Sequence, residues 1–258
     1  MTKLLSKELV PAGLSLYLDI PIGTHSSQTG IFFPAGYRFA SVDIHMILYF
    51  HGHHSPPIPP PNRYWKNQNF KLREEVNASN KANVVLVVPA INNSYAGTLQ
   101  TAKGFDNYID ALLEGIMEHA GMCPYISLGR LTLAAHSGGG SPMLELVKTI
   151  NTGSNAGSLS GCWGFDCLYG SGDPVVKTKP SIPPNVEEHW LESAKKNFDV
   201  SFEFFWVTHG PGTRSKNLQT FAKAANITNI SVVESKGAIH DTVPIRNFKD
   251  CINRMYIP

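Results

Sequence analysis

The chain has 258 residues, 42% hydrophobic and 16% charged, with 22 Gly and 18 Pro, a make-up that builds a sizeable core with many tight connections and excludes a disordered protein. Its formal charge is +2, from 22 Lys+Arg against 20 Asp+Glu, and no basic run is present to neutralise a line of phosphates, so nucleic acid is not an expected partner. The longest apolar stretches, such as Ile44–Phe50 and Val84–Ala90, fall far short of the roughly 20 residues a bilayer-spanning helix needs, and no membrane span is expected.

From the N-terminus, Leu14–Ile20 alternates apolar and polar as an edge strand does, and a second extended piece is expected within Gly30–Ser41. The pattern then changes to short continuous apolar runs bounded by Gly, Pro, Asn or Ser: His45–Phe50, Val84–Pro89, Leu131–Ala135, Leu159–Phe165, Phe202–Val207 and Ile230–Val233. Such runs suit strands buried on both faces. Between and after them lie segments of helical period: Phe70–Asn80, Gly104–His119, Ser141–Ile150, Val186–Lys196, Arg214–Ala225 and Val243–Tyr256. Alternation of this kind predicts one α/β domain over residues 1–258, with a mostly parallel sheet of about eight strands between two helical layers, a three-layer α/β/α sandwich. Two Pro-rich segments interrupt it, 53–65 and 169–184, and both are expected as loops over the ligand site, because open α/β sheets bind at the carboxyl ends of their strands. The stretch between Phe165 and Val186 is too short for a large helical cap.

Other features are less specific. The segment MTKLLSKELVPAGLSLYLDIP lacks the apolar core and small-residue cleavage site of a signal peptide, which fits a cytoplasmic chain or a secreted one whose signal has been removed. Cys123, Cys162, Cys167 and Cys251 form no CxxC pair and are expected as reduced, buried thiols. Asn77, Asn92, Asn226 and Asn229 head Asn-x-Ser/Thr triplets, which arise often by chance.

The strongest chemical signal is Leu131-Thr-Leu-Ala-Ala135-His136-Ser137-Gly138-Gly139-Gly140: a buried strand, a small-x-Ser-x-small turn, then a helix. A serine at such a sharp turn needs small residues two positions either side, because the backbone closes on itself, and its hydroxyl is left standing above the sheet. The competing explanation is a Gly-rich turn with Ser137 as a helix N-cap.

With these residues the chain resembles the α/β-hydrolase superfamily of serine esterases and lipases, from about Leu14 to the C-terminus. The resemblance implies a Ser, acid and His in that chain order, and an oxyanion hole of backbone N–H groups. Ser137 then matches the nucleophile. His240, in the loop Ser235-Lys-Gly-Ala-Ile-His-Asp-Thr after the last strand, matches the base, a task suited to an imidazole with an ordinary pKa near 6.5. The acid departs from the commonest pattern, since Thr208-His-Gly-Pro-Gly-Thr-Arg-Ser after Phe202–Val207 holds no carboxylate. The preceding strand supplies Asp166 at its end, where some lipase branches place their acid, with Asp173 as the alternative. His51-Gly52-His53-His54 is similar to the family's His-Gly-x turn, and assigns the His53 and Gly138 N–H groups to the oxyanion hole. His51, His54, His136, Tyr95 and Tyr169 are expected to line the substrate site, and Tyr64, Trp65 and Trp163 to join them in an aromatic cleft.

This reading expects a carboxylesterase acting on a small-molecule or polymer ester without a cofactor or metal, with amidase or peptidase activity as the second choice. A rival is a metal hydrolase ligated by His51, His53 and His54 with His209 and Asp166, but it leaves Ser137 and His240 without a task. A third is a silent binding protein on the same fold, which typically lacks one of the three catalytic residue types.

Overall fold

The computed structural model describes residues 2–10, 13–40, 42–52, 60–66, 68–91, 97–122, 125–169, 185–208 and 212–255. Among these, nine strands form one sheet: β1 (Lys3–Val10), β2 (Gly13–Ile22), β3 (His25–Pro34), β4 (Asp43–Phe50), β5 (Val84–Pro89), β6 (Ser127–His136), β7 (Leu159–Phe165), β8 (Ser201–Trp206) and β9 (Ile230–Glu234). Their spatial order is β1-β2-β3-β5-β4-β6-β7-β8-β9. The first three pair antiparallel and β3 meets β5 antiparallel, while β5, β4, β6, β7, β8 and β9 run parallel. The helices are α1 (Arg63–Lys66), α2 (Leu72–Asn77), α3 (Ala102–Ala120), α4 (Gly140–Thr149), α5 (Val186–Lys196), α6 (Gly212–Ala224) and α7 (Val243–Arg254). No helix among the described residues is long and apolar enough to cross a membrane.

Two apolar clusters sandwich the sheet. One joins Leu48, Leu133 and Phe204 to Leu112 of α3, Leu146 of α4, Trp190 of α5 and Leu218 of α6. The other joins Tyr49, Val88 and Phe165 to Val76 of α2 and Phe248 and Ile252 of α7. Buried on both faces, the central strands carry no polar alternation; Val84–Pro89 is buried at every position. Helix α3 shows how local chemistry sets the ends. Thr101 accepts from the Gly104 N–H at 3.1 Å as N-cap, and Gly121 closes the helix at φ 73°.

The sheet departs from expectation at its N-terminal side. It has nine strands rather than eight, because β1 is mostly exposed and carries no burial period to read. Leu14–Ile20 is consequently an internal strand, paired with β1 on one side and β3 on the other, and not an edge. The extended piece placed at Gly30–Ser41 starts earlier, at His25, and ends at Pro34. The Pro-rich loop drawn to Trp65 ends sooner, since the Pro60 and Pro61 carbonyls accept from Arg63 and Tyr64 N–H at 3.0 and 3.1 Å and start α1. Residues 53–59 and 170–184, most of the two loops expected over the site, lie outside the described residues.

Candidate active site

The parallel strands end together at Phe50, His136, Phe165 and Glu234, and the sequence-predicted residues gather at that edge. Immediately after β6, Ser137 adopts φ 54°, a left-handed conformation uncommon for a residue with a side chain. A short 3₁₀ turn, Ser137–Gly139, leads into α4. The reason for the small residues is visible in the packing. A Cβ on Gly139 would lie 2.3 Å from the Phe50 carbonyl oxygen, and one on Gly140 2.3 Å from that of Cys167. The turn is thus wedged between the ends of β4 and β7, and the strained serine stands above both. Its hydroxyl makes no hydrogen bond among the described residues. Gly138 N–H lies in the first turn, where backbone donors have no acceptor within the helix.

Asp166 follows β7 directly, at φ 46° and 1% exposed, with its N–H donating to the Phe205 carbonyl at 2.6 Å. Its Oδ2 lies 2.6 Å from Nδ1 of His240. A carboxylate only accepts, so Nδ1 carries the proton and Nε2 is left with its lone pair. Among the described residues Oδ1 of Asp166 has no partner, so the side-chain hydrogen bond described for the carboxylate is the one to the imidazole. Tyr169 Oη is 3.5 Å from the same Nδ1 and its ring meets His240 edge-on, too long for a competing hydrogen bond. The His240 side chain is 36% exposed, and its neighbour Ile239 is open to solvent.

Gly52 closes the other side. A Cβ there would sit 3.1 Å from the Ser137 Cβ and 3.5 Å from its Oγ, so any side chain at this position would crowd the serine. His51 does not line a cleft as expected. It is 7% exposed and stacked on Tyr64; Nε2 accepts from the Ile91 N–H at 3.0 Å, and Nδ1 lies 2.7 Å from the Gly52 carbonyl oxygen. With both nitrogens engaged by backbone, His51 pins the loop after β4 to the loop after β5 and has no lone pair left for a metal ion. His136 is likewise buried, at 3% exposed, behind His240 rather than facing substrate. The aromatic cleft is corrected too: Tyr64, Trp65 and Trp163 are at most 2% exposed and belong to the core. His53, His54, Tyr95, Asp173 and His209 lie outside the described residues.

Among the described residues one group brings three potential metal-ligand atoms within 4.8 Å of one another: His136, His240 and Asp241. Two of its imidazole nitrogens are already engaged, His240 Nδ1 by Asp166 and His136 Nε2 by the His240 carbonyl. The thiol of Cys167, next to Asp166, is fully buried, and burial together with the Asp166 charge pushes its pKa up. It stays protonated and is unreactive as a nucleophile. Cys162 and Cys251 are also free and buried.

Neither a protein-family model nor a curated protein matches the sequence. Solved structures do. The feruloyl esterase module from Clostridium thermocellum superposes with a TM-score of 0.62 at 13% identity, over 95% of this chain and 89% of that one. The fluorophosphonate-binding serine hydrolase F of Staphylococcus aureus gives 0.58 at 9% identity, over 99% of both chains. S-formylglutathione hydrolase from the same organism gives 0.57 at 12%, over 98% and 94%. The chain has the α/β-hydrolase fold, as the resemblance around Ser137 implied.

Proposed function

We propose that the chain is a serine hydrolase that cleaves carboxylic esters through an acyl-enzyme, with Ser137 as nucleophile, His240 as base and Asp166 as its orienting acid. One observation carries the reading: a buried carboxylate holds Nδ1 of a partly exposed histidine at 2.6 Å, at the strand edge where a serine stands in a left-handed turn. In the reaction, Ser137 Oγ attacks the ester carbonyl and His240 Nε2 takes its proton. The negative charge of Asp166 stabilises the imidazolium that forms. The Gly138 N–H, joined by that of His53, donates to the oxyanion of the tetrahedral intermediate. Collapse breaks the bond to the alcohol, which leaves with the proton from Nε2; water then attacks the acyl-serine by the same steps in reverse.

No step in this scheme needs a cofactor. The esterases among the structural neighbours support an ester as substrate, a small molecule or a polymer, and the exposed Ile239 beside the base offers apolar contact to one of its arms. The test is hydrolysis of p-nitrophenyl acetate and butyrate by the native protein and by Ser137→Ala, with and without a chelator. Turnover that ignores the chelator and falls by several orders of magnitude in Ser137→Ala is expected. Turnover that survives the substitution contradicts the reading.

A further inference from the structure

One buried imidazole beside these three residues has no part in the scheme. His136 is the last residue of β6, so its backbone runs straight into Ser137, and it pairs across the sheet with Phe165, the residue before Asp166. Along the chain it adjoins the nucleophile, and across the sheet it adjoins the acid. Its side chain reaches the third member. Nε2 lies 3.1 Å from the backbone carbonyl oxygen of His240, and the two rings pack with centroids 4.5 Å apart at 35°. A carbonyl accepts and never donates, so Nε2 of His136 carries a proton and donates it. The same carbonyl takes the Val243 N–H that closes the 3₁₀ turn His240–Thr242. Behind His136, Phe70 meets its ring edge-on at 5.5 Å.

The base needs such support. It sits in a short turn preceded by Ile239, which is 66% exposed, and its bond to Asp166 holds one ring atom only. A ring held at one atom still swings, and a displacement of about 1 Å in a catalytic group is enough to cost orders of magnitude in rate. His136 restrains what Asp166 leaves free: the main chain of the turn, through its N–H, and one face of the imidazole, through the packed ring.

We infer that His136 is a positioning residue that fixes His240 relative to Ser137, an inference that rests on the serine-hydrolase reading above. The side chain touches neither substrate nor the transferred proton, so its removal lowers kcat and leaves KM nearly unchanged.

Three substitutions in the full chain test this. His136→Gln places an amide N–H near the former Nε2, His136→Asn carries the same amide but falls short, and His136→Phe keeps a ring without a donor. Expected is a loss of at least tenfold in kcat for His136→Asn and His136→Phe, with KM within about twofold, and recovery of much of that loss in His136→Gln. The ring N–H proton of His240 bonded to Asp166 gives a far-downfield NMR resonance, expected sharp in the native protein and His136→Gln and broadened in the other two. Should His136→Phe not fold, the Asn and Gln pair decides. Equal activity in that pair, or kcat losses that merely follow falls in Tm, would overturn the positioning role while Ser137→Ala stays inactive. An active Ser137→Ala would instead overturn the serine reading, and the inference with it.

Discussion

Replacing Asp166 by Asn separates two things that the proposed acid would do for His240. In the structure Oδ2 accepts from Nδ1–H of His240 at 2.6 Å, while Oδ1 has no partner among the described residues. An asparagine that sets its carbonyl on Nδ1–H keeps the tautomer that leaves Nε2 free, whereas one that turns its amide onto Nδ1 puts the proton on Nε2 and blocks the base. In either orientation the negative charge is lost, and that loss sets the minimum effect. With the charge centres of carboxylate and imidazolium roughly 4 Å apart, the attraction is about 4 kcal/mol at an effective dielectric of about 20, which is almost 10³-fold in rate. Because the imidazole is 36% exposed, water screens part of this, and a fall in kcat/KM of at least roughly 10²- to 10³-fold is expected. Stability moves the other way. Asp166 sits at φ 46° and is 1% exposed; asparagine tolerates the left-handed region well, and a neutral amide costs less to bury than a carboxylate. The assay is ester turnover beside thermal unfolding of the same preparation, with Tm expected to hold or rise. A loss below tenfold, or a clear fall in Tm, would refute the argument that Asp166 is held in place for charge rather than for structure.

Two further predictions concern the scaffold. Gly139→Ala puts a methyl 2.3 Å from the Phe50 carbonyl oxygen; it should destabilise by about 1–3 kcal/mol, as overpacking does, and lower activity by moving Ser137, and an unchanged urea midpoint would contradict it. His45 accepts the Arg130 N–H on Nδ1 at 3.1 Å, and burial lowers its pKa below the ordinary 6.5. Below pH 6.5 the unfolded chain takes up a proton that folded His45 refuses, so stability falls as pH drops and levels once the folded residue also titrates. Tm compared at pH 7.5 and 5.5 should fall more in the native protein than in His45→Asn, whose side-chain oxygen still accepts from Arg130 without titrating; parallel slopes would count against it.

What was legible in the sequence was what is local. Val84–Pro89, Leu159–Phe165 and Val186–Lys196 have the predicted ends, because the run or stripe meets a polar residue or proline there: Asn83 and Pro89, Ser158 and Asp166, Asn185 and Asn197. The small residues around Ser137 were readable for the same reason: close approach of the backbone to β4 and β7 excludes side chains whatever lies further off. Strand β1 was not legible, since it is held by main-chain pairing and buries almost nothing. Tyr64, Trp65 and Trp163 look alike as cleft or core in one dimension, and only the packing of Tyr64 and Trp65 of α1 on Tyr49 and Tyr17 of the sheet, and of Trp163 of β7 on Phe248 of α7, places them in the core. The setting of His136 depends on a residue 104 positions away, which no local pattern reports.

The central claim is that Ser137 is an activated nucleophile. Its most direct test is reaction of the full chain with a fluorophosphonate, read by intact mass and peptide mapping. One adduct, on the peptide carrying Ser137, formed equally fast in the presence of a chelator and absent in Ser137→Ala, is the expected result. No adduct, together with ester turnover that a chelator abolishes and Zn²⁺ restores, would contradict it.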